Sequence, residues 1–186
     1  MIGYALCGSF CTLSNSLKQM KILVESGYDV LPIMSFNVYS QSTRFFNCEE
    51  LKRQVEEICG HGIIHTIQDA EPLGPKTVLD ALVISPCTGN TLAKLACGIT
   101  DTPVCMAAKA HLRCDRPLLI ALSTNDALSG NLKSIAVMLE KKSVYFVPMR
   151  QDDPLCKPHS LSAEFSLLPK ALAEALDGNQ MPKLFL

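Results

Sequence analysis

Residues 79 to 101 read LDALVISPCTGNTLAKLACGITD. The stretch opens with Leu79, Ala81, Leu82, Val83 and Ile84, an apolar run long enough for a buried strand, and breaks at Ser85-Pro86. Small or polar residues follow from Cys87 to Thr91, and apolar residues then return at Leu92, Leu95 and Ala96 with helical spacing. A buried strand therefore stops at its carboxyl end, and a tight polar loop leaves backbone N–H groups free. The helix that follows points its positive N-terminus back at the loop. Open α/β sheets bind small molecules at this place, outside the carboxyl ends of their strands. Many α/β enzymes contain such a connection, so the loop by itself names no ligand.

The flanking sequence repeats the alternation. Ile2 to Cys7 reads as a strand, and Leu13, Leu17, Met20, Leu23 and Val24 form a helical stripe that stops at Gly27. Tyr28 to Met34 is a second strand, residues 37 to 47 a polar loop with interleaved aromatics, and Glu49 to Cys59 a helix. Ile63 to Ile67 predicts a third short strand, and Glu71-Pro72-Leu73-Gly74-Pro75 a connector into the central strand. Helices are then expected from Thr91 to Cys97 and from Pro103 to Leu112, and a buried strand from Pro117 to Leu122. Residues 129 to 140 predict a helix capped by Ser129, and Ser143 to Val147 the last strand. Gln151 to Ser160 reads as a loop and Leu161 to Leu176 as a closing amphipathic helix. Strand and helix in alternation imply an α/β fold of three layers, Rossmann- or flavodoxin-like, with a mostly parallel sheet and helices on both faces. At 186 residues, with no repeat, low-complexity tract or linker, residues 1–186 are expected to form one domain.

Composition excludes several classes. A formal net charge of -1 and a pI near 6.4 provide no electrostatic footprint for nucleic acid. No apolar run reaches the length that spans a bilayer, and MIGYALCGSFC lacks the basic and apolar regions of a secretory signal. The nine cysteines form no CxxC pair, and several lie inside apolar runs, which favours reduced thiols in a cytoplasmic protein. No ligand spacing supports a metal site.

Four strand ends carry small hydroxyl or amide residues: Gly8-Ser9, Ser35, Pro86 to Thr91, and Ser123-Thr124-Asn125. Hydroxyls and free N–H groups at helix N-termini suit a phosphate monoester. GSFCTL lacks the later glycines of a dinucleotide loop, and no Gly-Lys-Ser/Thr follows, so a mononucleotide such as FMN fits better than a dinucleotide or triphosphate. Ordinary turns and helix caps use the same residue types.

Pro86-Cys87-Thr88-Gly89-Asn90-Thr91, with Gly98 and Asp101 closing the next helical stretch, resembles the Pro-Ala-Ser-Ala-Asn-Thr loop of the homo-oligomeric flavin-containing cysteine decarboxylase family. Gly8-Ser9 is similar to that family's first phosphate loop. PLLIALSTN, ending at Asn125, stands where those decarboxylases have a strand ending in Pro-Ala-Met-Asn, but Leu122-Ser123-Thr124 replace Pro-Ala-Met. His61 and His65 lie near the region of the family's base, in a setting that does not match. A closer resemblance rests on TRF at 43 to 45, EPLGPK at 71 to 76, TGN at 88 to 90, MAAKA at 106 to 110, STNDAL at 123 to 128 and QDDP at 151 to 154. Together, from Gly3 to about Leu168, these are similar to the dipicolinate synthase B-chain family.

That resemblance implies a flavoprotein component in the mother cell of a sporulating bacterium. Its expected partner is the A chain of dipicolinate synthase, which resembles an NAD(P)-binding dehydrogenase. The pair would form pyridine-2,6-dicarboxylate by oxidising a dihydrodipicolinate-type precursor. FMN would sit on this chain, with Gly8, Ser9, Phe10 and Ser35 toward its phosphate or ribityl chain. Pro86, Thr88, Gly89, Asn90 and Thr91 would border the phosphate or ring, and the backbone at Ser123 and Thr124 the ring's N1–C2=O edge. A dicarboxylate calls for cations, best a guanidinium. Arg44 in the aromatic loop is the first candidate, with Asn125 beside it. Lys109 and Arg113 are further candidates that a surface position explains equally well. No catalytic acid or base is assigned. The family is homo-oligomeric, and the apolar faces of the 91–112 helices offer an interface. Two other classes remain open, a flavin-dependent decarboxylase and a non-catalytic companion of the dehydrogenase-like partner.

Overall fold

The computed structural model describes every residue from Met1 to Leu186. Its sheet is built on β1 (Ile2–Leu6), β2 (Val30–Met34), β3 (Ala81–Cys87), β4 (Leu118–Thr124) and β5 (Val144–Phe146), all parallel, in the order β2-β1-β3-β4-β5. This is the flavodoxin-like strand order, with its topological switch point between β1 and β3. Every residue of β1 and β3 is buried. Strands covered on both faces read as continuous apolar runs for that reason.

Alternate residues serve opposite faces. Ile2, Tyr4 and Leu6 join Leu13, Leu17, Met20 and Leu23 of α1 (Leu13–Glu25), Leu51 and Val55 of α3 (Cys48–Cys59), and Leu168 and Leu172 of α8 (Leu168–Leu176). Ala5 and Cys7 join the other core, with Leu92 and Leu95 of α5 (Gly89–Cys97), Val104 and Ala108 of α6 (Pro103–Leu112), and Ile135 and Met138 of α7 (Leu132–Leu139). Each fully buried Leu, Ile or Met stabilises the fold by about 1.5–3 kcal/mol relative to exposure. Gly74 explains the EPLGPK motif: its φ is +126°, and a Cβ there would lie 2.3 Å from the Ala110 carbonyl oxygen.

The first core also contains a polar knot. The Tyr4 hydroxyl, fully buried, donates to the Ser16 carbonyl at 2.9 Å and lies 3.0 Å from Ser16 Oγ. Ser16 Oγ reaches the Ser85 carbonyl at 2.5 Å and Ser85 Oγ at 3.0 Å. One chain of hydrogen bonds thus ties β1, α1 and β3 together beneath their carboxyl ends. Burial pushes the Tyr4 phenol up to about 12, so it remains a donor throughout the working range.

Local chemistry moved several expected boundaries. Residues 37 to 47 are not all loop, because Phe36–Ser40 form a short helix, α2, with Val38 buried beneath it. The Ile63–Ile67 strand reduces to a single bridge from Ile33 to Ile64. Thr66 there accepts a hydrogen bond from the Asp69 N–H and turns the chain into α4 (Ile67–Ala70). α5 starts at Gly89 rather than Thr91, with Thr88 as its cap. Ser129 does not cap α7; its hydroxyl bonds the Asp126 carbonyl, and α7 begins three residues later. Val144–Phe146 is not the last strand, since β6 (Met149–Arg150) and β7 (Leu161–Ala163) add an antiparallel pair beside the upper end of β4. Leu161 to Leu176 is therefore not one helix: a strand and a 3-10 turn at Phe165–Leu167 precede α8.

Tyr4→Phe is expected to cost about 1–2 kcal/mol, because it leaves buried partners unsatisfied while keeping the ring. A lowered urea midpoint with unchanged slope would register the loss, and an unchanged midpoint would remove the knot from the stability account.

Candidate functional site

The site is built at the switch point, where β1 turns outward to β2 and β3 turns toward β4. The Cys7 N–H donates to the Pro86 carbonyl at 3.2 Å, joining the two strand ends. A tight turn follows, with Ser9 N–H to the Cys7 carbonyl at 2.9 Å and Thr12 N–H to the Ser9 carbonyl at 3.1 Å. This turn aims Ser9 and Thr12 at the end of β4. Ser9 Oγ lies 3.2 Å from Ser123 Oγ, and Thr12 Oγ1 lies 3.1 Å from Ser9 Oγ and 3.3 Å from Ser123 Oγ. Three hydroxyls from two loops thus form a neutral group that can turn its protons toward an anion.

The second wall is the start of α5. Thr88 Oγ1 accepts from the Thr91 N–H at 3.2 Å and donates to Thr91 Oγ1 at 3.0 Å. Thr91 Oγ1 in turn reaches Cys7 Sγ at 3.4 Å. The remaining N–H groups of the first turn carry the positive end of the helix dipole. Behind them, the Asp126 carboxylate takes Thr124 Oγ1 at 2.6 Å and Asn131 Nδ2 at 2.8 Å. Gly89 lies against this cluster, and a Cβ there would fall 2.5 Å from Thr124 Oγ1 and 2.8 Å from Asp126 Oδ1. Only glycine lets the helix start this close to the β4 loop.

The resulting cleft has a volume of about 580 Å³, within the range of small-molecule sites. Of the residues expected from sequence, Gly8, Ser9, Phe10, Arg44, Thr88, Ser123, Thr124 and Asn125 line it together. Gly89 and Thr91 lie buried behind Thr88, Asn90 is exposed beside it, and Pro86 is buried within β3. Ser35 caps α2 next to the cleft, and its buried Oγ has no partner.

Lys109 is not brought to this cleft. α6 runs back down the sheet to deliver β4, so its last turn faces away from the strands' carboxyl ends. Lys109 borders a separate cavity of about 220 Å³ with Leu95, Met138 and Lys141. Arg113 lies 3.9 Å from Glu71. Residues that sequence reasoning missed as site members include Thr12 and the 151–160 loop, which contributes Asp152, Lys157 and Ser160. The QDDP motif was the available signal for that loop, and nothing near Lys157 marked it.

Electrostatics divide the cleft. Arg44 places its guanidinium over the Phe45 ring, 4.8 Å from the centroid. Lys157 Nζ pairs with Asp152 Oδ2 at 3.0 Å. Hydrogen bonding from Ser160, then from Lys157, holds the Asp152 carboxyl below its usual range. No histidine lines the cleft. His65 stacks on Tyr39 at 3.7 Å, His61 lies 2.6 Å from Asp29, and His111 is buried with Nε2 on the Pro117 carbonyl. All nine cysteines are unpaired, and burial pushes Cys7 up to about 12 and Cys87 well above its ordinary value.

The family model described as Flavoprotein matches residues 4–149, the segment that runs from within β1 through β5. The chain is 44% identical over 180 residues to the B chain of dipicolinate synthase from Bacillus subtilis (strain 168), covering 97% of this chain and 90% of that relative. The chain belongs to the flavoprotein family, in the branch of the dipicolinate synthase B chain. A solved structure of the dipicolinate synthase B chain from Bacillus halodurans C superposes with a TM-score of 0.91 at 40% identity, covering 100% of this chain and 95% of that one. The FMN-dependent cysteine decarboxylase SpaF shares the fold, with a TM-score of 0.67 at 22% identity over 94% of this chain and 95% of its own. No helix of the chain is long and apolar enough to cross a membrane.

Gly89→Ala is expected to displace the β4 loop and destabilise the protein by about 1–3 kcal/mol, the usual cost of overpacking; a thermal scan would check it. A thiol-reagent titration of the native protein should modify Cys11, Cys97 and Cys156, the exposed three, first. Cys7 and Cys87 should react only on unfolding. Early labelling of Cys7 would contradict its burial.

Proposed function

We propose that this chain is the FMN-binding component of a dipicolinate synthase and acts during sporulation with that enzyme's A chain, a dehydrogenase-like partner. The hydroxyl group of Ser9, Thr12 and Ser123 beside the α5 N-terminus carries this reading. It provides neutral donors for a phosphate, three hydroxyls that carry no charge of their own. The residues fit the cofactor in two further respects. Ser35 Oγ is a buried hydroxyl still lacking a partner beside the cleft. Gly8 is packed so that a Cβ would meet the Phe10 ring at 3.3 Å, which keeps the backbone free for close approach. Ser9, Thr12 and Ser123 would hold the phosphate, and the N–H groups after Thr88 and the β4 loop would border the ring.

When bound, the flavin would supply a two-electron acceptor for a precursor whose oxidation yields an aromatic ring. The chain's own residues position the reactants. The Thr124 hydroxyl donates its hydrogen bond to Asp126, so it presents lone pairs to the cleft and favours a ligand N–H or O–H there. Arg44, steadied on Phe45, is placed to bind a substrate carboxylate with two hydrogen bonds. Phe10, Cys11 and Phe45 are the cleft's only hydrophobic members, so one chain covers little of a ring system. A further copy of this chain, or the dehydrogenase-like partner carrying NAD(P), would complete the enclosure. We take residues 1–186 as one flavoprotein domain for this role.

Three measurements test the proposal. Purified chain should take up FMN and release it on denaturation, and Ser123→Ala should weaken that uptake by about tenfold, the loss of roughly one hydrogen bond to a charged group. Failure to take up added FMN would sink the flavin reading. Pyridine-2,6-dicarboxylate should form from the dihydro precursor and an NAD(P) cofactor only when this chain and its partner are both present; equal activity from the partner alone would refute a catalytic role for this chain. Arg44→Ala should lower turnover without loss of flavin, and unchanged kinetics would remove Arg44 from the site.

A further inference from the structure

The cleft contains a charge pattern that its hydroxyl group does not account for. Three charged side chains line it, Arg44, Asp152 and Lys157. Arg44 arrives on the loop after α2, from the β2 side of the switch point. Asp152 and Lys157 arrive on the loop between β6 and β7, from the β4 side. The hydroxyl group at the strand ends lies between these loops in the strand order, and cations occur only on the two loops. Two cations thus enter one cleft from two directions, while the donors suited to phosphate are neutral.

Each cation has a support that leaves it free to bind. Arg44 rests over the Phe45 ring, 4.8 Å from its centroid, and its guanidinium makes no hydrogen bond or ion pair with the protein. The Lys157 ammonium has three donors, and Asp152 Oδ2 at 3.0 Å takes one. The Lys157 carbonyl also accepts from the Ser160 N–H at 3.0 Å, which closes the loop beneath the pair. A free lysine loses considerable rotamer freedom when it grips a ligand. Here that ordering is already present in the folded loop.

We propose that Lys157 is the second carboxylate-binding group of this site, positioned by Asp152 and working with Arg44 so that the cleft selects a dicarboxylate over a monocarboxylate. The inference rests on the reading of the site as dipicolinate-forming. Carboxylates on both sides of the ring nitrogen need two cations on separate supports, because one guanidinium satisfies one carboxylate bidentately. Lys157 then sits between two anions, Asp152 and the substrate. Asp152 raises the tendency of Lys157 to stay protonated, so the arrangement persists across neutral pH.

The 186-residue chain in saturating FMN is titrated calorimetrically with pyridine-2,6-dicarboxylate and with pyridine-2-carboxylate. Lys157→Gln should weaken the dicarboxylate by roughly fivefold to tenfold, the scale of one partly exposed charged contact, and leave the monocarboxylate and FMN affinities unchanged. Asp152→Asn should give part of the same loss, since Lys157 keeps its charge but loses its anchor. Lys170→Gln, an exposed lysine on α8, removes the same charge away from the cleft and should change nothing. An unchanged preference for the dicarboxylate in Lys157→Gln overturns the proposal. Equal losses in the Lys157 and Lys170 variants overturn it too, as does a loss confined to FMN, which would assign Lys157 to the cofactor phosphate. Binding of FMN with neither acid defeats the inference and leaves the flavin reading standing. A selective loss in a chain that takes up no FMN supports the inference and defeats the flavin reading.

Discussion

The hydroxyl of Tyr4 sits in the interior, shielded from solvent, and it must find its partners within the protein. Ser16 and Ser85 supply them, and in doing so they set how α1 and β3 stand against β1. The cleft lies directly above this knot. Its first wall continues from β1, its second from β3, and the turn into α1 brings Ser9 and Thr12 into line with Ser123. An apolar replacement could fill the same space, but it would not specify one register among three elements. Buried polar groups that are fully satisfied have this consequence in general.

A second constraint acts at Gly89. The first turn of α5 approaches the β4 loop so closely that no side chain fits between them. The helix dipole, the Thr88 cap and the Asp126 cluster are brought within reach of one ligand by that absence. The two constraints divide the work: the knot fixes the floor of the cleft, and the glycine fixes its width. The cations have no part in either. They sit on loops outside the sheet, where their contribution depends on an incoming anion.

The parallel sheet was legible because β1, β3 and β4 are buried on both faces and so read as unbroken apolar runs. The cleft's hydroxyls were legible because they follow those runs directly. The β6–β7 pair escaped notice because strands of two and three residues carry no periodicity. The apparent strand at Ile63–Ile67 misled because its apolar residues signal burial without saying which element is buried. The Thr66 cap there decided for a helical turn.

The site followed the same division. Gly8, Ser9, Thr88 and Ser123 could be named from their places after strands, since parallel strands put all their carboxyl ends at one end of the sheet. Lys109 could not be judged that way, because a helical position is silent on which end of the sheet it faces, and tertiary packing put it near the opposite end. Lys157 was invisible for a related reason: QDDP marked the start of the 151–160 loop, but only packing at a distance places that loop over a cleft formed by residues far earlier in the chain. The amino-acid sequence alone determined the alternation, the two-faced burial and the hydroxyl-bearing strand ends, all properties of local pattern. The folded chain decided which charges meet across the cleft, because that depends on loops whose positions are set by packing at a distance.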